Sequence, residues 1–188
     1  MIEKEIDRAK RLYAHYGEAL TKQNGLGALF DRYRNAIRKT QEVMNQLRVV
    51  EICSACACER SGSCCFQGVE EWYDHVLLLM NLVLGRQMPE FHEVPGGCLF
   101  VGSRGCKLIA RHSFCVNYLC PPLKDSTRTP SMERLLSVSG DELFQGWELE
   151  RAIRQWLQGP PLLASPGRSP ERDGVESDAF GFRPFPAV

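Results

Sequence analysis

Hydrophobic positions along the chain recur mostly at helical spacing. Ile2, Ile6, Ala9, Tyr13 and Tyr16 fall three or four residues apart, which puts them on one side of a first helix. Asn24-Gly25 is a stop and turn signal. Beyond it, Leu29, Tyr33, Ile37, Met44 and Leu47 mark a second helix, so residues 1–50 read as a helical hairpin packing on the core. This portion carries ten basic against six acidic residues, which a solvated face on a packed helix accounts for. From 51 to 122 the pattern is interrupted. Trp72, Val76, Leu79 and Val83 mark a helix facing inward, and then Gly85, Pro89 and Pro95-Gly96-Gly97 break the chain into a loop.

Helical spacing returns after Pro121-Pro122. Ser139-x-x-Glu142 has the form of a capping box ahead of Leu143, Trp147, Ile153 and Trp156. Residues 123–158 therefore read as C-terminal helices of the same domain, closed by Gly159-Pro160-Pro161. Residues 159–188 hold six of the eleven prolines and four glycines, with few aliphatic side chains. Such a segment cannot bury enough apolar surface to offset its ordering entropy and reads as a disordered tail. Phe180, Phe182 and Phe185 read as unstructured parts of it, with a docking motif for a protein partner as the alternative. The expected fold class is mainly α: an N-terminal helical hairpin, a cysteine-rich metal-stapled module over 51–122, and C-terminal helices.

Composition adds limits. Of 188 residues, 44% are hydrophobic and 24% charged, ordinary for a soluble globular protein. With 23 basic and 23 acidic side chains the formal charge is zero, and there is no electrostatic footprint for nucleic acid or acidic lipid. The opening MIEKEIDRAKRLY is charged and amphipathic, unlike a signal peptide. The longest apolar run, residues 76–85, is ten residues, about half of a membrane span. The expectation is a soluble protein of a reducing compartment, most simply the cytoplasm, with no membrane and no nucleic-acid partner.

Cysteine is what sets the chain apart. All nine cysteines (53, 56, 58, 64, 65, 98, 106, 115 and 120) lie between Cys53 and Cys120. An odd count without an export signal argues against a disulfide scaffold, and clustering in a reducing compartment favours metal or iron–sulfur ligation over buried structural thiols. Cys53-x2-Cys56 is the spacing with which a tight turn presents two sulfurs to one metal. Adjacent side chains of an extended backbone point to opposite faces, so Cys64 and Cys65 either sit on a turn or serve two different sites. Cys58 falls two after Cys56 and makes the count odd; it replaces another ligand or is the spare.

In the second half, Gly102 and Gly105 let the segment joining Cys98 and Cys106 fold sharply, as a short hairpin or loop bringing both sulfurs to one place. Pro121-Pro122 stop any helix there, so Cys120 can turn back toward Cys115. Arg104, Lys107 and Arg111 are interleaved with these cysteines and can compensate thiolate charge. His92 and His112 can complete a site, with His15 and His75 more remote in sequence. Trp72, Tyr73, Trp147 and Trp156 read as core. No Walker loop, Gly-x-Gly-x-x-Gly or Gly-x-Ser-x-Gly occurs, so phosphate cradles and nucleophile elbows lack support.

Spaced cysteines, then Cys-Cys, then a helix, then a Gly-Cys…Arg…Cys…Cys segment resembles the YkgJ-type family of zinc- or iron-chelating cysteine-cluster proteins. The matching positions are Cys53, Cys56, Cys64 and Cys65, then Cys98, Gly105-Cys106, Arg111, Cys115 and Cys120, over residues 53–120. Two features depart from the family pattern: a longer spacing before Cys64-Cys65, and Arg111-His112 where the family has Arg-Pro. The resemblance implies that these eight cysteines hold zinc, or iron as an iron–sulfur centre such as a 4Fe–4S cluster. Flagellin lysine N-methylase has a related cysteine-rich arrangement, which implies the alternative of an iron–sulfur-dependent protein-lysine methyltransferase. The leading expectation is a metal-binding protein without an assigned activity.

Overall fold

The computed structural model describes residues 1–22, 24–59 and 63–159. Among these the chain forms seven α-helices and one two-stranded hairpin, so the protein is mainly helical. Helices α1 (Ile2–Lys22) and α2 (Asn24–Gln46) break from one another where the hairpin is expected. Asn24 and Gly25 open α2 rather than ending α1. The buried stripe of α1 is Ile2, Ile6, Ala9, Gly17 and Leu20. Tyr13 is exposed, its ring lying over Gly17. On α2 the buried face runs Leu26, Phe30, Tyr33, Ala36, Thr40 and Val43, about one position round from the expected stripe. Leu47 lies past the helix end, where Arg48 takes a left-handed conformation (φ 57°) and turns the chain into α3 (Val49–Glu59).

After a 3-10 turn (Val69–Trp72) comes α4 (His75–Val83), started by Asp74, whose carboxylate accepts from the N–H of Val76 and of Leu77, each at 2.9 Å. This cap satisfies helix N–H groups that would otherwise lack partners. Val76, Leu78, Leu79, Met80, Asn81 and Leu82 are all buried, so α4 is the central helix and α1 lies along it. The one polar member, Asn81, is 0% exposed and makes three of its four hydrogen bonds to a distant loop. Its Nδ2 donates to the carbonyls of Leu77 (3.0 Å) and Ala110 (2.8 Å), and its Oδ1 accepts from Ile109 (2.9 Å) and Ala110 (3.0 Å).

The loop from 94 to 112 carries strands β1 (Val101–Gly102) and β2 (Gly105–Cys106), antiparallel with Val101 opposite Cys106. Gly105 has φ +91°, a conformation in which a side chain would be strained, so the tight turn needs glycine here. The expected hairpin joining Cys98 to Cys106 is therefore present. Short helices α5 (Ser113–Asn117) and α6 (Pro121–Ser126) follow. Pro121 occupies the first turn of α6, so the proline pair starts a helix as well as excluding one before it.

The last helix, α7 (Thr129–Gln158), is a single 30-residue element lying along α2. The expected capping box is thus a misreading. Ser139 and Glu142 lie in mid-helix and are buried, because the helix begins ten residues earlier at Thr129-Pro130. Its inward stripe is Leu135, Ser139, Glu142, Leu149 and Ile153, spaced as a helix face requires. Leu143 and Trp156 are only half-buried and Trp147 is 56% exposed, so Trp147 is not core. Two apolar clusters result. The larger joins α1, α2, α4, the end of α7 and the 94–110 loop; the smaller joins the end of α2, α3, α6 and the start of α7. The tail expected to be disordered, with Phe180, Phe182 and Phe185, lies outside the described residues, Gly159 excepted.

Replacing Asn81 by alanine leaves two N–H groups and a carbonyl of the cysteine loop unpaired in the interior. We expect a loss of about 2–4 kcal/mol, since each stranded buried polar group costs about 1–3 kcal/mol. Urea unfolding of Asn81→Ala followed by circular dichroism tests this, and an unchanged midpoint contradicts it.

Candidate functional site

Cys53 and Cys56 are placed by α3, on a helix rather than the expected tight turn. Residues three apart on a helix lie on neighbouring sides of one face, so the spacing serves the same end. Cys64 and Cys65 sit on a turn. Cys65 is fixed from both sides: its N–H donates to Ser63 Oγ (3.1 Å) and its carbonyl accepts from the Cys98 N–H (2.8 Å). A bridge between Phe66 and Gly97 extends this pairing. At Gly97 a Cβ would fall 2.9 Å from the Val101 side chain and 3.1 Å from that of Val94, so glycine allows the close approach that puts Cys98 beside Cys65. The Cys98 sulfur in turn accepts from the Phe100 N–H at 3.5 Å.

Cys106 is delivered by the hairpin and Cys115 by α5. The buried Tyr73 hydroxyl accepts from the His112 N–H (3.0 Å) and donates to the Cys115 sulfur (3.8 Å). Cys120 is the residue before α6 and packs in the smaller cluster with Cys53, whereas Cys115 packs against the larger one. Cys120 sits on a non-helical end, as expected, in an extended conformation just before Pro121, and Leu123 of the helix that follows anchors in the smaller cluster. The side chain of Cys58 lies outside the described residues.

Cys53, Cys64, Cys65, Cys98, Cys106 and Cys115 line one cavity of about 540 Å³. The eight described cysteines are all free thiols. Among the described residues, no three His, Cys, Asp or Glu donors converge closely enough to hold an ion as they stand. The donor chemistry suits a soft metal, but the geometry is open rather than closed. Burial first, and then the charges of Cys64, Cys120 and Cys56, push the Cys53 thiol up to about 11. Burial likewise pushes Cys98 up to about 12 and Cys115 up to about 11. Cys106 has exposed surface because it lines the cavity, yet the protein crowded around it also pushes its thiol up. Cys64 is the exception, pulled down by the Cys65 thiol beside it.

The cationic frame of the cavity is larger than the interleaved residues suggested. Arg34, Arg38, Arg86, Arg104 and Arg111 line it, with Glu42 the single acid among the described residues. Lys107 is instead engaged by Glu93 at 3.0 Å. Arg111 is nearly buried and faces Glu142 of α7 at 3.6 Å, too long for a hydrogen bond, so their attraction is Coulombic. Among the described residues neither Glu142 oxygen has a hydrogen-bond partner, and burial raises its carboxyl despite Arg111. Arg111 also lines a second cavity, of about 300 Å³, with Tyr33, Trp72, His112, Trp147 and Glu150.

The histidines are otherwise occupied. His112 caps α5, its Nδ1 accepting from the Phe114 N–H at 3.2 Å, and burial lowers its pKa. His92 Nδ1 donates to the Gly97 carbonyl at 2.8 Å, and His75 pairs with Glu5 at 2.8 Å. Sequence reasoning missed Asn81, Glu142 and Arg86. For Asn81 a signal existed, a lone amide inside the apolar run of residues 76–85. Comparison with family models, curated proteins and solved structures finds no match for this chain. No helix among the described residues is long and apolar enough to cross a membrane.

Two outcomes follow from these energetics. Replacing Arg111 by methionine strands the buried Glu142 carboxylate and is expected to cost about 3–5 kcal/mol, as breaking a buried pair does. Most of that should return in Arg111→Met/Glu142→Leu, and urea unfolding of the two variants decides it. The second concerns pH. In reduced protein stripped of metal, the folded thiols hold protons that an unfolded chain, with thiols near 9.0, has already released. Their contribution to stability is complete below about pH 9 and declines as pH rises through about 11 and 12. Thermal melts should show a falling Tm across that interval, and a rising one contradicts the assignment.

Proposed function

We propose that this chain is a metal-binding protein that holds zinc, or iron as an iron–sulfur centre, through Cys53, Cys56, Cys64, Cys65, Cys98, Cys106, Cys115 and Cys120. The observation that carries the reading is the gathering of six cysteines, from five separate stretches of sequence, around one arginine-framed cavity. Buried thiols kept only for packing would not need loops tied down by Tyr73, Asn81 and the Cys65 carbonyl to bring them together. The resemblance of residues 53–120 to the YkgJ-type family supports the same chemistry. Free thiols at all eight positions suit a reducing compartment, and we place the protein in the cytoplasm on that ground.

The donors stand apart in the structure, so binding draws them inward, and its free energy also stabilises the fold. Tetrahedral sulfur coordination serves zinc and iron–sulfur centres alike, so the ligands do not choose between them.

A second reading has its own support. A structural metal site needs no adjoining space, yet this cavity has a volume of about 540 Å³, within the range of small-molecule pockets. The alternative is an enzyme whose metal centre is open to a substrate, with protein-lysine methylation the reaction implied by the likeness to flagellin lysine N-methylase.

Protein purified without oxygen should contain zinc and be colourless, or contain iron with labile sulfide and be brown. Stripping that metal with a strong chelator should lower Tm. If the purified protein carries neither metal, reloading with either leaves its Tm unchanged, and all nine cysteines react as free thiols, the metal-binding reading is wrong.

A further inference from the structure

The second cavity, of about 300 Å³, shares Arg111 with the thiol cavity, and among the described residues no cysteine lines it. Its walls hold polar groups with nothing to bind. Tyr33 is 3% exposed and lines this cavity, yet among the described residues its hydroxyl has no hydrogen-bond partner. The fully enclosed side-chain atoms that lack a partner among the described residues are the Glu142 oxygens alone, so the Tyr33 hydroxyl opens onto the cavity. Gly146, on the same wall, leaves room for it. A Cβ there would fall 3.0 Å from Cε2, 3.2 Å from Cζ and 3.3 Å from the hydroxyl oxygen of Tyr33. His112 adds a second donor. Its Nδ1 accepts from the Phe114 N–H, which assigns the ring proton to Nε2, and that N–H also lacks a partner among the described residues. Water can serve both donors, and a ligand that displaces the water must bring acceptors of its own.

Most acceptors of this cavity are already in use. Asp74 Oδ1 accepts from Val76 and Leu77, and its Oδ2 accepts from Arg154. Arg154 also donates twice to Glu150 Oε1, which leaves Glu150 Oε2 for a ligand N–H. Charge is balanced as well. Asp74 and Glu150 share Arg154, Arg111 faces Glu142 at 3.6 Å, and the Arg151 guanidinium lies 5.2 Å from the centre of the Trp147 ring. Three arginines thus stand against three carboxylates, and a charged ligand of either sign would meet a like charge at the wall. Trp72 and Trp147 supply flat apolar surface. We propose that this cavity is a binding site for an uncharged, planar nitrogen heterocycle. Its carbonyl or ring-nitrogen acceptors take the Tyr33 O–H and the His112 Nε2–H, and its faces lie on the tryptophans. The volume is at the low end for small-molecule sites and suits one ring or two fused rings. This site goes beyond the metal-binding reading and does not depend on it.

Uracil and hypoxanthine are the probes. Titrated into isotope-labelled full-length protein, they should shift the indole N–H signals of Trp72 and Trp147. The signal of Trp156, which packs on Tyr16 and does not line the cavity, should stay in place. Tyr33→Phe keeps the ring and removes the donor, and should weaken both probes about fivefold, the worth of one hydrogen bond. Trp147→Ala removes a ring that is 56% exposed, so the fold should survive, and a similar loss is expected from the missing face. Benzoate and benzylamine, of similar size but charged, should bind more weakly than uracil. Uridine monophosphate should bind no tighter than uridine, since the wall offers a phosphate no unbalanced positive charge. The proposal is overturned if neither probe shifts Trp72 or Trp147 at millimolar concentration, or if folded Tyr33→Phe or Trp147→Ala binds them as the wild type does. Tighter binding of benzoate, benzylamine or the monophosphate overturns it too, as a site for an ion.

Discussion

The amide of Asn81 is the contact on which the cysteine cavity depends. From 94 to 112 the chain has only a four-residue hairpin of regular structure, too little to fix its own position. Helix packing cannot hold such a segment, because its backbone N–H and C=O groups must find partners wherever it is buried. Asn81 provides them from the most buried helix of the molecule, and Ala110, which it grips by both N–H and C=O, is 0% exposed. Cys106 lies four residues before that anchor and Cys115 five after it. With Glu93 bonded to the hairpin at Ser103 and Tyr73 bonded at His112, the loop is pinned at three points by side chains of other segments. The precision of the thiol wall is thus borrowed from α4 and from the turn that precedes it.

Charge imposes the second constraint. Four thiolates around a divalent ion carry a net charge of about −2, which a low-dielectric interior tolerates only beside cations. Arg34 and Arg38 on the cavity wall are already paired, with Asp31 at 2.9 Å and Glu42 at 3.2 Å. The remaining cations at the wall are Arg86, Arg104 and Arg111, and only Arg111 is held from behind by a buried carboxylate. Glu142 holds Arg111 by charge rather than by a hydrogen bond, and the same guanidinium nitrogen donates to the Met44 sulfur at 3.5 Å. An unsatisfied buried carboxylate is costly on its own, and its place here makes sense as the counter-charge that holds an arginine next to thiols.

The helical framework was legible in the sequence because apolar periodicity is what builds it, and five of the seven helices among the described residues lie in segments read as helical. Errors came where polar residues do work that periodicity assigns to apolar ones. Ser139 and Glu142 continue the inward stripe of α7 but carry the spelling of a capping box, and the local pattern could not tell a helix start from a buried ion-pair partner. Trp147 fell on the expected stripe, yet its ring lies outside the core, with the Arg151 guanidinium 5.2 Å from its centre. The ligand candidates were legible as a set, since thiol clustering is compositional. Which thiols lie together was not, because that depends on α3, α6 and the 94–112 loop meeting in space, and sequence spacing holds no record of such meetings.

The same geometry bears on whether the site is closed or open. A structural centre is complete when four sulfurs surround the ion, and nothing further is gained by keeping room beside it. Here the walls are held apart by elements that do not depend on the thiols: α3 by its apolar contacts, the loop by Asn81, and Arg111 by Glu142. In the metal-bound reading proposed above, thiolates answer the charge of Arg86, Arg104 and Arg111, so charge gives no independent call for a substrate. Volume does give one. Arg111 borders both the cysteine cavity and the aromatic cavity lined by Trp72, His112 and Trp147, so any group bound in the second is one side chain away from the first. An enzyme would need that adjacency, and a purely structural site would not.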